Sequence, residues 1–394
     1  MNILVINSGS SSIKFQLIQM PSEALLCSGL IERIGEKDAI LNYKTNTVKL
    51  QQTDNIPTHK QGLNKIVDLL LDSKNGVIEN IKEIEAVGHR VVHGGNSFSN
   101  TALVTPEVKQ KIQEFAVLAP LHNPSNLEGI LVAEEDFPFA KQIAVFDTAF
   151  HQTIPEKAKK YAIPNYLYDE HNIQVYGFHG TSHKYVSEKA IDYLQLEKSK
   201  IISIHLGNGC SMTAVVNGIS IDHSMGFAPS NGLIMGSRSG DIDHSIIFYL
   251  TNNLGYSLEE VNNLLTKESG MQGLTGSNDL RDIEKEAEKG NSECILALEM
   301  NAYRIRKFIG TYAAAMNGLD AIIFTAGIGE NSSMIRKLVC TDMDFFGIDL
   351  DETKNDQKSQ ELREINTISS EVKILVIPTN EELEIAKQAF QLLN

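Results

Sequence analysis

One short pattern occurs twice, half a chain apart, and it limits the possible folds more than anything else in the sequence. Residues 3–7 are an apolar run, 8–12 a Gly/Ser tip and 13–18 apolar again. The order returns at 201–206, 207–211 and 212–216, with Ile3 and Ile201 separated by 198 positions. Each copy reads as a β-hairpin whose tip presents backbone N–H groups and hydroxyls. A hairpin that recurs at half the chain length predicts two similar domains facing a common cleft. The 394 residues are enough for two separate cores.

Elsewhere strands and helices alternate. Helical apolar spacing runs through 254–267, 278–289 and 292–317, the last closed by Gly318 as a C-cap. Residues 321–325 form a buried strand that enters AGIGENS, where Gly327 and Gly329 turn the chain toward a helix from Ser332. Residues 372–377 are a strand. Thr379-Asn-Glu-Glu382 resembles a capping box opening a helix through Leu393. No linker rich in Pro or Ser intervenes, and the class expected is α/β.

The charge balance excludes one class of partner. With 35 Lys and Arg against 50 Asp and Glu, the net charge of −15 would repel a phosphate backbone overall, so no nucleic acid is expected. The acid concentrates in stretches read as solvated helix, 284–288 and 349–364, whereas the Gly-rich segments carry Lys14, Arg90 and Arg238. No run approaches the length of a membrane span. MNILVINSGSSS opens directly on an apolar run without a basic region, which reads as a first strand and not a signal peptide, so a cytoplasmic protein is expected. Cys27, Cys210, Cys294 and Cys340 form no CxxC pair and read as reduced thiols. Cys210, in a Gly-rich loop, reads either as a reactive thiol or, more simply, as a small apolar filler.

GxxxxGK[ST], GxGxxG, GxSxG and HExxH are all absent, so any phosphate chemistry rests on the hairpin tips. Asn7 and the run Ser10 to Lys14 put an amide, hydroxyls and a cation in one turn, although Gly/Ser tips are also ordinary turn chemistry. GHRVVHGG holds Arg90 between apolar neighbours, suited to a carboxylate or phosphate, or to a structural ion pair. His89 and His93 have metal-like spacing only on a helix, and this run reads as a strand. LAPLHNP carries His122. VFDTAFH carries Asp147 at the end of the strand 142–146, a position for metal or substrate chemistry or for a turn cap. YGFHGTSH supplies His179 and His183, the latter read as structural, and MGSRSGDID supplies Arg238. Glu381 could complement the dipole of its own helix.

NSGSSSIKFQL, GHRVVHGG, LAPLHNP, VFDTAFHQTIP, YGFHGTSH, HLGNG, MGFAP, GSRSGDID, FTAGIGENS and IPTNEEL stand in the order found in acetate kinases, and the resemblance covers essentially the whole chain. It implies two duplicated ribonuclease H-like domains of the actin-like ATPase superfamily around a nucleotide cleft. The expected divisions are 1–148, 149–381 and a C-terminal helix, 382–394, packing back on the first domain. It implies Mg²⁺ at Asn7 and Glu381, with Mn²⁺ as a possible substitute, and Lys14, Ser10 and Ser12 near the nucleotide phosphates. Arg90 resembles the family's substrate ligand, Asp147 its catalytic aspartate, and His179 and Arg238 its transition-state stabilisers. His122 and Asn208 fall on further active-site positions. The ATP segments are similar to His205-Leu206-Gly207-Asn208-Gly209, Asp279-Leu280-Arg281 and Gly327-Ile328-Gly329-Glu330-Asn331. Val92, Leu121, Phe178 and Pro229 match the pocket for the acetate methyl. Ser230 and Asn231 depart from the usual PLEG, His223 stands where Thr is common, and His244 where Pro is common.

The implied reaction is reversible phosphoryl transfer between ATP and acetate, giving acetyl phosphate and ADP, in a homodimer joined through the C-terminal domain. Propionate is the rival acceptor. A sugar or polyol kinase would instead use Asp147 as a general base, and a non-catalytic ATP-binding module would have no purpose for Arg90, His179 and Arg238.

Overall fold

The structure is a computed structural model describing residues 1–394. The chain divides into two units, Met1–Phe150 with Asn380–Asn394, and His151–Thr379.

The first unit holds β1 (Asn2–Ser8), β2 (Ser12–Gln19), β3 (Ala24–Glu32), β4 (Ala39–Thr45), β5 (Lys49–Asp54), β6 (Ile84–Val91), β7 (Ala102–Leu103) and β8 (Lys141–Phe146). They make one sheet in the order β5-β4-β3-β2-β1-β6-β8-β7. β1, β2 and β3 are antiparallel, while β1, β6 and β8 are parallel. Ile3, Leu4, Val5 and Ile6 are all buried, so β1 is covered on both faces, which is why it reads as an unbroken apolar run. Helices His59–Leu70 and Asn123–Asp136 pack on each other, and Leu63, Ile66, Val132 and Phe137 enter one core with β1 to β4. The C-terminal helix Glu381–Leu393 packs against β1 and β6. Its close approach needs Gly88, because a Cβ there would stand 2.7 Å from Ile385 Cγ2.

The second unit holds β9 (Lys200–Leu206), β10 (Cys210–Val216), β11 (Ile219–His223), β12 (Ala321–Thr325), β13 (Arg363–Glu364) and β14 (Lys373–Val376), in the order β11-β10-β9-β12-β14-β13. The scheme repeats that of the first unit. An antiparallel trio is followed by two parallel strands and a short antiparallel edge. The first unit lengthens its trio with β4 and β5. Both hairpins read from the sequence are present, and each opens its unit's sheet.

Several boundaries differ from the sequence reading. The run 254–267 breaks at Gly255, in the left-handed region at φ 79°, into helices Ser245–Leu254 and Leu258–Lys267. Ser257 caps the second, with Glu260 reciprocating. The helix Ser292–Met316 is closed by Asn317 at φ 53°, one residue before Gly318. AGIGEN is itself a short helix, Ala326–Asn331, and Ser332 caps the next, Ser333–Cys340. The last helix is capped by Asn380, whose side chain accepts the Leu383 N–H, and not by Thr379, whose hydroxyl is engaged by Ser182. Within 349–364 only Glu352–Asp356 is helical. No helix is long and apolar enough to cross a membrane.

Candidate active site

The sequence-predicted residues form two sets, one in each unit.

In the first unit the tip between β1 and β2 is closed by the Gly9 N–H on the Ser12 carbonyl, at 2.8 Å, and Asn7 pairs with Lys14 across the hairpin. Two buried side chains hold this tip from outside. Asn126 donates to the Ser8 carbonyl at 2.7 Å, and His59 Nε2 donates to the Gly9 carbonyl at 2.7 Å. Ser10 is exposed and Ser12 half-buried. Lys14 Nζ stands 2.7 Å from Glu382 Oε1.

Arg90, near the end of β6, reaches Asp147 just past β8 through a short Nη2–carboxylate contact, and its Nε stands 3.8 Å from Glu381. Burial works against the charge on Arg90, but Asp147 and Glu381 outweigh it and lift the guanidinium above its ordinary value. Burial pushes the Glu381 carboxyl up; Arg90 pulls against that, and Asp147 and Glu382 add to it. Val92, which follows, is buried, and its N–H donates to Asn126 Oδ1 at 3.1 Å. Asn123 spans the next residue, accepting the His93 N–H at 3.1 Å and donating to its carbonyl at 2.9 Å. His122 is the half-buried residue that opens the helix Asn123–Asp136, and Leu121 beside it is exposed. His89 bonds Gln142 inside the sheet, a structural partner.

In the second unit the β9–β10 tip is closed by the Gly207 N–H on the Gly209 carbonyl, at 3.1 Å. His179 precedes the helix Gly180–Leu194 with a left-handed backbone, φ 54°. Its Nδ1 stands 2.8 Å from Ser211 Oγ, and its ring stacks on His205 with centroids 4.3 Å apart. A Cβ on Gly209 would lie 3.4 Å from His179 Nε2 and 3.8 Å from Arg238 Nη1, so the two side chains bracket the tip. Arg238 donates to the Pro229 carbonyl at 2.6 Å and leans on Met235 Sδ, and no carboxylate pairs with it. Burial pushes its pKa down. Cys210 is buried and burial raises its thiol to about 12, so it is an inert filler.

The other side of this tip opens on a cavity of about 690 Å³, lined by Gly207, Asn208, residues 278–281, Glu284, Gly327, Ile328, Asn331 and Ser332. The three segments predicted to bind nucleotide therefore meet, though not every residue in them lines the space. Leu206 and His205 are buried behind the tip. Gly329 packs on the Phe324 backbone, and Glu330 Oε1 accepts the Thr379 N–H at 3.1 Å. Asp279 caps the helix Leu280–Glu288 and is held by Arg281 in two contacts, which lower its carboxyl to about 2.

A family profile described as the acetokinase family matches residues 2–387. The chain belongs to the acetokinase family. It is 65% identical to the acetate kinase of Flavobacterium johnsoniae over the full length of both chains. Among solved structures it is similar to the acetate kinase of Porphyromonas gingivalis, with a TM-score of 0.95 and 42% identity over all of both chains. It is also similar to a propionate kinase of Francisella tularensis, with a TM-score of 0.92, 45% identity and 98% of each chain covered.

Within this acetokinase fold, some residues that build the site went unread in the sequence. Glu284 is half-buried at the cavity wall, bonded by the Ser332 hydroxyl, and burial raises its carboxyl. The sequence reading set it in a solvated acidic run; its place one turn after Leu280, on the same helix face, was the available signal. Arg336 is buried and donates to the Gly329 and Glu330 carbonyls at 2.9 and 3.0 Å, fixing the AGIGEN helix from behind. Asn123, Asn126 and His59 play the same part for the first unit.

Proposed function

We propose that the chain catalyses reversible phosphoryl transfer between ATP and acetate, giving ADP and acetyl phosphate. The observation that carries this reading is the double use of the Gly207–Gly209 tip. One side lines a cavity large enough for a nucleotide, and the other is bracketed by His179 and by an Arg238 that no acid neutralises. A phosphate chain leaving the cavity meets two donors suited to spreading charge on a transferring phosphoryl group.

A carboxylate is already ionised at neutral pH, so its attack needs no general base. An acetate oxygen bonds the γ-phosphorus as the bond to the ADP oxygen breaks. In this reading Arg90 holds the acetate oxygens, and Val92, buried two residues further on, supplies apolar surface for its methyl. Asp147 orients Arg90. Asn7, Asp147 and Glu381 offer hard oxygen donors; burial chiefly raises the Glu381 carboxyl, and the Asp147 and Glu382 carboxylates beside it add negative charge that a divalent cation would offset. Asn7 and Glu381 would hold Mg²⁺, which would supply charge neutralisation at the phosphates. Formation of a hydroxamate-trappable acyl phosphate that requires ATP, acetate and Mg²⁺ together tests the reading; none forming would overturn it.

The solved propionate kinase relative supports propionate as a second acceptor. One methylene changes specificity by about 1–3 kcal/mol in an apolar pocket, so kcat/KM for acetate, propionate and butyrate decides their order.

The helix Ser245–Leu254 carries Ile246, Phe248, Tyr249 and Leu254, all exposed, and buries no residue. Leu296 and Tyr303 on the helix Ser292–Met316 are exposed as well. We assign this apolar surface to a second copy of the chain.

A further inference from the structure

Behind His179 lies a packed group of imidazoles that the reading above does not use. His151 and His223 are buried, with ring centroids 4.2 Å apart, and His183 lies 5.4 Å from His223. Both meet at the carbonyl of Phe178, the residue before His179, with Nε2 of His151 at 3.0 Å and Nε2 of His223 at 2.8 Å. A carbonyl oxygen only accepts, so both nitrogens carry protons.

The tautomer of His223 can be worked out from two alternatives. With the proton on Nε2, the ring donates to Phe178 O at 2.8 Å and accepts the Met225 N–H on Nδ1 at 2.9 Å. With the proton on Nδ1, it donates to Met225 O at 3.3 Å and accepts the Phe178 N–H at 3.3 Å. The first pair has ordinary bond lengths and the second is stretched, so the Nε2–H form prevails. His151 accepts from Ser220 Oγ at 2.9 Å on Nδ1 and donates through Nε2. Burial keeps both rings neutral, pushing His223 down to about 4 and His151 well below its ordinary value.

We propose that His151 and His223 are positioning residues for His179, clamping the Phe178 carbonyl between two neutral imidazole N–H donors. The segment they hold is strained. Gly177 is left-handed at φ 75°, and a Cβ there would meet the His151 ring at 2.7 Å. His179 follows at φ 54°, a conformation that costs a non-glycine residue about 1 kcal/mol and persists only where its surroundings fix it. The clamp fixes the peptide on one side of that residue, and Ser211 and His205 fix its ring on the other. Loss of the clamp leaves substrates bound but lets the imidazole drift from the tip, so it acts on turnover.

This inference rests on the reading of His179 as a donor to the transferring group, and its test separates the two. Asn at 223 reproduces the Nδ1 acceptor for Met225 but not the donor to Phe178, whereas Gln reproduces the donor. His223→Asn should lower kcat about tenfold, with KM for acetate and ATP within about twofold, and His223→Gln should recover to within about threefold of the parent. A folded Asn variant with parental kcat, or a folded Gln variant no better than Asn, overturns the clamp. ¹⁵N-histidine NMR of the parent must show His151 and His223 as neutral Nε2–H tautomers, and any other form overturns it even if both variants misfold. His179→Ala with parental kcat would sink the reading of His179 and leave the tautomer test standing.

Discussion

Arg90 and Arg238 are both sunk in protein, and their neighbours divide their work. Arg90 is surrounded by Asp147, Glu381 and Glu382, so its charge is balanced before a substrate arrives. Arg238 has a carbonyl and a thioether for company, and burial penalises its charge. Such a cation gains most when negative charge gathers on a planar phosphoryl group. Arg238→Ala should therefore cost mostly kcat, by about 10³-fold, with small changes in KM. Arg90→Ala should raise the acetate KM as well as lower kcat, and Lys should rescue neither, since a point charge cannot replace a planar fork. Steady-state kinetics on the four variants, with circular dichroism to confirm folding, decides between them. A second residue-scale expectation concerns stability. Burial raises Asp222 from 3.8 to about 6, so the folded chain holds that proton more tightly than the unfolded one. Stability is lost as pH rises through this interval and stays lost above it. Asp222→Asn should thus stabilise the protein by about 1 kcal/mol at pH 7.5 and do nothing useful at pH 3.5, which thermal unfolding at the two pH values measures.

Among the elements, the helix Asn123–Asp136 does more than cover a sheet. Asn126 joins the ends of β1 and β6, bonding Ser8 and Val92 at once, and Asn123 holds His93 in the same way. Asn126→Ala leaves a buried carbonyl and a buried N–H without partners, at about 2–4 kcal/mol. The unfolding midpoint should fall, and the acetate KM should rise because Val92 loses its anchor. Conversely Val92→Ala, which keeps the backbone bond, should raise the propionate-to-acetate ratio of kcat/KM. These asparagines also mark how far the sequence could be read. The repeated hairpins and Arg90 were legible because apolar alternation and a lone cation between valines are local signals. Asn123, Asn126 and His59 were not, because each works through a carbonyl or N–H far away in sequence, and a buried polar side chain has no periodicity of its own; Arg336 reaches carbonyls only six and seven residues back, but in a different helix, so no helical spacing marks it. The break at Gly255 was missed for a related reason, since the apolar spacing on either side continues in phase. His223 was noted only as an unusual residue, and what it bonds became visible with the strands in place.

Over the whole molecule, the uncovered helix Ser245–Leu254 is the largest discrepancy between composition and burial, being apolar but without a buried residue. Phe248→Glu should convert a dimer into a monomer by sedimentation at micromolar concentration, while the parent remains dimeric; a monomeric parent would defeat the assignment. The first unit carries a different consequence, one of timing. It is assembled from both ends of the chain, since Glu381–Leu393 lies on β1 and β6 with Ile385 against Gly88. A ribosome makes that helix only after the whole of the second unit. Until then the nascent first unit has an apolar sheet face without its cover, and Arg90 and Lys14 lack Glu381 and Glu382. The first core therefore stays incomplete until the whole of the second unit has been made, so a chain stopped before residue 381 should expose its first sheet and be prone to capture by chaperones or proteases.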